Sequence, residues 1–355
     1  MADEVSVGVR TAPSTPAVLR FAVDGYDSVM RVIHAIGWWR IRFAAAIVYF
    51  AVIGNGLVDS GVPTGRKTLT YIIVTGLAIT CLGRGWRRML LIVVDWLPFT
   101  LVLMTYDQSR AIADTLGMPV HELDVARAER WLFGAHIPTV WLQQHFYDPA
   151  TVHWYDAVAT VIYSSHFMLT PVLAGIFWIR DRKLWLRYIS RVIVLSFAGL
   201  ATYVVFPEAP PWLASKDGYI GPVTRLSARG WEYLHAGFAN RLIEAGQSGG
   251  SNAVAAMPSL HFAFAVLAAM FVADRFTSRR RYLFALYPIV MALTLVYTGE
   301  HYVIDLVFGL LYAAAVHLGL NRWDRWWAGR TEHRSAVRSD TADVPDEQLE
   351  PVSVE

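Results

Sequence analysis

Apolar residues in this chain come in long blocks, separated by short clusters of arginine, proline and aromatic side chains. A helix needs roughly 20 apolar residues to cross a bilayer, fewer where flanking side chains snorkel. About eight segments meet that measure, near 38–58, 67–83, 88–106, 155–179, 187–206, 257–274, 282–299 and 301–320. The second, TLTYIIVTGLAITCLG, is short. Asp95, Arg191 and Asp305 fall inside the third, fifth and eighth segments, where a charge is costly unless paired or wet. The pattern predicts an all-α integral membrane protein with about eight transmembrane helices.

The basic residues support that reading. They gather before the first span (Arg10, Arg20, Arg31, Arg40, Arg42) and after the second (Arg84, Arg87, Arg88). They gather again after the fourth (Arg180, Arg182, Lys183, Arg187), the sixth (Arg275, Arg279, Arg280, Arg281) and the eighth (Arg322, Arg325, Arg330). Every alternate connection is basic, as eight spans with both termini in the cytoplasm require; Arg66 and Lys67 are the exception. The two long outward connections, near 107–154 and 207–256, contain DVARAERWLFG and WEYLHAGFANRLIEAG, expected as interfacial helices.

Residues 1–17 are polar and small, without the apolar core of a secretory signal, so insertion is expected to rest on internal segments. Val18 to Trp39 reads as an amphipathic helix on the cytoplasmic face, and 331–355 has almost no large apolar residues. The expected organisation is a cytoplasmic segment over 1–37, two additional transmembrane helices over 38–87, a six-helix core over 88–320 and a cytoplasmic disordered tail over 321–355.

Composition agrees with a membrane protein: 55% of the 355 residues are hydrophobic and 17% charged, where a soluble domain carries about a quarter charged. A net charge of +2, with no basic run interleaved with aromatics, gives no reason to expect nucleic acid as a partner. The single cysteine, Cys81, excludes an intrachain disulfide.

Four polar clusters fall at the ends of spans predicted to face outward. AMPSLH sets Pro258 at the first turn of a helix, with Ser259 and His261 beside it. Proline is tolerated there because the first backbone N–H groups have no intrahelical partner. Those amides and the helix dipole favour an anion such as phosphate, and Ser259 adds a hydroxyl. YTGEHYVIDLVFG sets His301 and Asp305 four residues apart, so that on a helix the carboxylate can accept the imidazole N–H and raise its basicity. FPEAPPW, containing Pro210 and Trp212, stops the fifth span and stiffens the chain above the membrane. TYDQSRAIAD supplies Asp107 and Arg110, the latter a bidentate phosphate donor.

Taken singly, each feature has a plain structural reading, as do His153, His166 and His235. Their convergence on one membrane face points to chemistry.

At these residues the sequence resembles the type 2 phosphatidic acid phosphatase superfamily, and within it the inositol phosphorylceramide synthase-like branch. FPEAPPW, AMPSLH and TGEHYVIDLVFG are similar to that branch's three motifs in order; YDQSRAIAD, ERWLFG and YSSHF are similar to features of bacterial members. The resemblance covers roughly 88–320. It implies that His301 is the nucleophile forming a phosphohistidine, that Asp305 orients it, and that His261 acts as general acid and then base. It implies no metal and no cofactor, with helix N-terminus and arginine in place of a cation.

The chain departs from the wider family at two points. Leu295 stands where an arginine precedes the nucleophile, and Trp212 where many bacterial relatives have arginine. The phosphate-neutralising charge is expected from Arg110, with Lys216, Arg225, Arg229 and Arg241 in reserve.

Two outcomes stay open. A lipid alcohol resolving the intermediate makes a phosphotransferase that moves a head group such as phosphoinositol. Water makes a phosphatase acting on phosphatidate or a prenyl (pyro)phosphate. The expected partners are a lipid phosphate substrate, a lipid alcohol acceptor and membrane lipids. The expected location is the plasma membrane, with the site on the extracytoplasmic side. A proton-coupled transporter and a zinc site built from His261, His301 and Asp305 are the rivals from other classes.

Overall fold

The computed structural model describes residues 37–60, 66–112, 116, 118–235 and 252–342. The N-terminal amphipathic helix expected over Val18 to Trp39 lies almost wholly outside them, as do Arg241 and residues 343–355. The described chain is helical, and its only extended pairings are isolated bridges linking His121, Glu208 and Ala255.

The long helices are α1 (Trp38–Ser60), α2 (Arg66–Cys81), α3 (Trp86–Ile112), α6 (Trp154–Arg180), α7 (Arg182–Val205), α10 (Leu260–Ala273), α11 (Leu286–Tyr297) and α12 (Val303–Ala342). Short helices α4 (Asp124–Leu132) and α5 (Pro138–Phe146) fill the first long connection; α8 (Pro211–Lys216) and α9 (Gly230–Tyr233) fill the second. Of the expected interfacial pair, α4 forms as a helix, whereas α9 is a single helical turn ending in a turn at Leu234 and His235, and the segment from 236 lies outside the described residues.

Among the described residues, four helices are long and apolar enough to cross a membrane, within Trp86–Ser109, Trp154–Arg180, Arg182–Val205 and Val303–Arg330; Thr68–Cys81 and Leu260–Ala273 are shorter apolar helices. Large apolar side chains such as Leu90, Leu97, Leu101, Leu293 and Leu311 point outward from the bundle. In water such a surface would aggregate; facing acyl chains it is at home.

The centre of the bundle is α10. Its sequence, LHFAFAVLAAMFVA, is apolar on every face, the signature of a helix surrounded by others. It packs against α6, α7, α11 and α12, and the successive residues Ala263, Phe264, Ala265 and Val266, which point to different sides of a helix, are all buried. Gly309 lets α12 approach closely, since a Cβ there would meet the Ser259 carbonyl oxygen at 2.7 Å. By contrast, α1 packs on α2 and presents Trp39, Phe43, Ile47 and Phe50 outward.

Two of the charges inside expected spans are paired within the fold. Asp95 accepts from Trp178 Nε1 at 2.9 Å and from Arg182 at 2.6 Å. Arg191, wholly buried, donates to Asn321 and Asp324, each at 2.7 Å.

The expected tail needs correction. Residues 321–342 continue α12 as helix rather than starting a disordered segment at 321. Trp323, Trp326 and Trp327 stack along this extension, with Arg330 over Trp326 at 4.0 Å. Aromatic–arginine side chains of this kind suit the membrane interface and favour a helix that polarity alone does not announce.

Candidate active site

The first turn of α10 and the start of α12 meet at one end of the bundle. Ser259 caps α10, its hydroxyl accepting from Phe262 N at 3.4 Å, while its own N–H donates to the Asp305 carbonyl at 3.0 Å. That backbone bond ties the two helix starts together. It sets His261, on the first turn of α10, beside His301, which lies just ahead of α12.

His301 stands outside the helix, so its pairing with Asp305 comes from a turn rather than from a shared helical face. Gly299 makes that turn with φ of 77°, its carbonyl accepts from Trp212 N at 3.1 Å, and a Cβ there would meet Val223 at 2.8 Å. Asp305 is the third residue of α12. Its Oδ2 accepts from the Tyr302 backbone N–H at 2.8 Å, half of a capping box, and lies 3.3 Å from His301 Nδ1. One oxygen therefore both starts the helix and orients the imidazole.

With Nδ1–H donated to Asp305, His301 Nε2 carries the lone pair that can act as a base or nucleophile. It points at His261 Nδ1, 3.2 Å away. The three groups form a chain through opposite nitrogens of one ring, not a set converging on a common point, so the zinc-like arrangement is not what this geometry offers. His301 is buried, whereas His261 is half-exposed and so open to a ligand. Tyr163 of α6 stacks on His261 with centroids 5.3 Å apart, and the ring of His166, also on α6, lies 4.5 Å from that of His261.

The other expected residues divide. Trp212 reaches the site through its bond to Gly299. Pro210 is buried, and its carbonyl accepts from Leu213 and Ala214 at the start of α8. Ser259, fully buried, is engaged as a cap. Asp107 is half-buried near the end of α3, a helix that packs on α2 and α7; the Arg110 side chain lies outside the described residues.

A different cation stands here. Arg225 grips Glu300, the residue before the nucleophile candidate, with Nε to Oε1 at 2.8 Å and Nη2 to Oε2 at 3.0 Å. It lies 4.7 Å over the Trp212 ring and within hydrogen-bonding reach of Tyr163. Gln143 pins the loop carrying it, donating to the Thr224 and Tyr297 carbonyls and accepting from Thr224 N, each at 2.8 Å. Lys216 is exposed at the end of α8, and Arg229 is spent on the Asp148 carbonyl, at 2.6 Å, and on the Tyr147 ring.

Two acids sit behind the imidazole that sequence reasoning did not single out. Glu129, from α4, accepts with Oε1 from the Val303 and Ile304 amides, capping α12 across the fold. Burial, with the neighbouring Asp305 adding, pushes its carboxyl up to about 7. Glu208, from FPEAPPW, is fully buried. The signals were present, since Glu208 and Glu300 lie inside the motifs themselves, but nothing local said which way they faced.

With fold and geometry in place, comparison with known proteins supplies the family. The sequence pattern of the PAP2 superfamily, the type 2 phosphatidic acid phosphatases, matches residues 123–319, more than half of the chain. The protein belongs to that superfamily, and with it to the membrane-bound lipid phosphotransferases and phosphatases. It is 27% identical over 278 residues to a phosphoinositol dihydroceramide synthase of Bacteroides thetaiotaomicron, covering 70% of this chain and 89% of the relative. It is 31% identical over 122 residues to the inositol phosphorylceramide synthase catalytic subunit aur1 of Schizosaccharomyces pombe, covering 34% of this chain and 28% of that protein. No solved structure matches significantly.

Proposed function

We propose that the protein moves a phosphoinositol-type head group from a phospholipid to the hydroxyl of a lipid alcohol, through a phosphohistidine at His301. The observation that carries this is the chain Asp305 Oδ2, His301 Nδ1, His301 Nε2, His261 Nδ1, with steps of 3.3 and 3.2 Å. The relatives' names support the choice of head group.

In this scheme substrate phosphate displaces the His261–His301 hydrogen bond and takes its place. His301 Nε2 attacks phosphorus, the phosphorus–oxygen bond to the glycerolipid breaks, and His261 gives its proton to the departing alkoxide. The acceptor hydroxyl then loses its proton to His261 and attacks phosphorus, and the phosphorus–nitrogen bond breaks to restore His301. Arg225 offsets the phosphate charge that the missing motif arginine would meet.

The basic connections support a site on the extracytoplasmic side, with both termini cytoplasmic, in the plasma membrane. Domain boundaries follow the same reading, with two additional helices over 38–87 and a six-helix core over 88–320.

Purified protein in detergent tests this, offered phosphatidylinositol, phosphatidate or a prenyl pyrophosphate, each with and without a lipid alcohol, with products followed by mass spectrometry. Head-group transfer that requires the acceptor is the expected result. Free phosphate from phosphatidate or the pyrophosphate without any acceptor would instead make the protein a phosphatase using the same three residues.

A further inference from the structure

Glu208 is a fully buried carboxyl at this end of the bundle. It is 0% exposed, and among the described residues neither carboxyl oxygen has an N–H or O–H donor. Its side chain lies within hydrogen-bonding reach of Asp305, whose Oδ1 likewise has no donor. Two carboxylates can only accept, so they cannot bond unless one carries a proton.

Both cannot stay ionised. Two like charges in contact and out of water repel strongly, and desolvation adds to the cost. The geometry also says where the proton sits. Asp305 Oδ2 takes the Tyr302 amide and the His301 imidazole, and both stabilise an anion. Glu208 has neither kind of donor. The backbone holds it in place: its N–H donates to the Val254 carbonyl at 2.7 Å, and Ala209 N donates to the His121 carbonyl at 3.2 Å.

We infer that Glu208 is a positioning residue for the transfer reaction, a neutral carboxylic acid whose O–H donates to Asp305 Oδ1 and keeps Oδ2 aimed at His301. The inference rests on the functional reading above for its kinetic part. The charged and titratable groups around it are Asp305, Glu129, Tyr302 and, one step further, His301 and Arg130. Burial, then the Asp305 charge, hold the Glu208 carboxyl well above the usual carboxylate range, in the same direction as the geometric argument.

The arrangement gives the proline-rich segment a chemical task. Phe206 packs with Met257, Tyr302 and Ile304, so one side of FPEAPPW fills the core while Glu208 completes the carboxylate. It also spares a phosphate-binding site one of three adjacent negative charges.

The test compares wild type, Glu208→Gln and Glu208→Leu. Glutamine can donate an N–H to Asp305 Oδ1; leucine cannot. Leu is expected to lower kcat about 10- to 100-fold with KM nearly constant, and Gln to recover most of that loss. At about pH 9, where Glu129 has given up its proton, the infrared spectrum should contain a C=O band of a protonated carboxyl that shifts in D2O and disappears in Glu208→Gln. If the band is absent from wild type, or persists in Glu208→Gln, the shared proton is overturned. If Gln is as impaired as Leu, the positioning role is overturned even where the band behaves as expected. Should Leu fail to fold, the infrared comparison of wild type with Gln still decides. Absence of head-group transfer by the wild type would sink the functional reading, while the band independently decides the proton.

Discussion

The bundle carries a polar cluster at each end of the same helices, and the two are built on different principles. At the far end from the histidines, Arg191 on α7 meets Asn321 and Asp324 on α12, and Arg187 joins Asp324 at 3.0 Å. His317 on α12 meets Asp274 after α10 at 2.9 Å, and Asn321 bridges to the same carboxylate at 3.1 Å. Arg191 Nε and His317 Nδ1 are left over, but each residue holds a partner of opposite character. At the site end, among the described residues, Glu129 and Glu208 lie beside Asp305, which holds the imidazole, and Arg225 is paired with Glu300 next to it.

The first cluster is a clasp. Matched charges stabilise a meeting of helices, and removing one partner is costly because the other is left buried. The second keeps unmatched groups where a reaction can use them, which only a rigid surround can enforce.

The largest expected effect breaks the second cluster at its centre. His301→Ala should lower transfer by at least about 10^4-fold, and Asp305→Asn by about 10^3- to 10^4-fold, by analogy with an orienting carboxylate that fixes a catalytic tautomer. Both variants should elute from size exclusion as wild type does. Asp305→Asn should also lower thermal stability, because Asp305 serves α12 as a cap; near-normal turnover would reduce it to that capping role.

Arg191→Met addresses the clasp. Its loss is expected to cost about 3–5 kcal/mol of stability, while turnover per folded molecule stays within about twofold of wild type. A large fall in kcat with intact stability would merge the two clusters into one functional unit.

Arg225→Ala should lower kcat/KM by about 10- to 100-fold, the size of a lost charge-assisted hydrogen bond, and Arg225→Lys should recover only part of it. Unchanged kcat/KM would return the phosphate role to Arg110 or another basic residue.

The smallest effect is a slope. Burial holds the Glu129 carboxyl at about 7 against an ordinary 4.5, so between those values the folded protein binds more protons than the unfolded chain. Stability contributed through this group is therefore lost as pH rises across that window, by at most about 1.4 kcal/mol per pH unit. Thermal melts of Glu129→Gln in detergent should show a flatter pH dependence than wild type, and an equal slope would assign it elsewhere.

Much of this protein was legible in one dimension. Apolar blocks determined an all-α membrane bundle because a bilayer imposes length and hydropathy locally, residue by residue. His261, His301 and Asp305, which the structure brings together, were legible as candidates because PSLH and the His-x-x-x-Asp spacing are short-range patterns. The helical run beyond residue 320 was not, since its support is a tryptophan–arginine stack and its composition reads as polar.

What only the tertiary structure decided is who stands beside whom. Glu129 caps a helix 174 residues away, Arg225 finds Glu300 across 75, and Asp95 finds Arg182 across 87. No local rule selects such partners. They are chosen when close packing around α10 brings distant segments together and leaves each buried charge the few neighbours it can have. The sequence by itself marked which residues are candidates for chemistry; the packing determined which acid takes the amide and imidazole donors, which acid has none among the described residues, and which arginine stands beside the site.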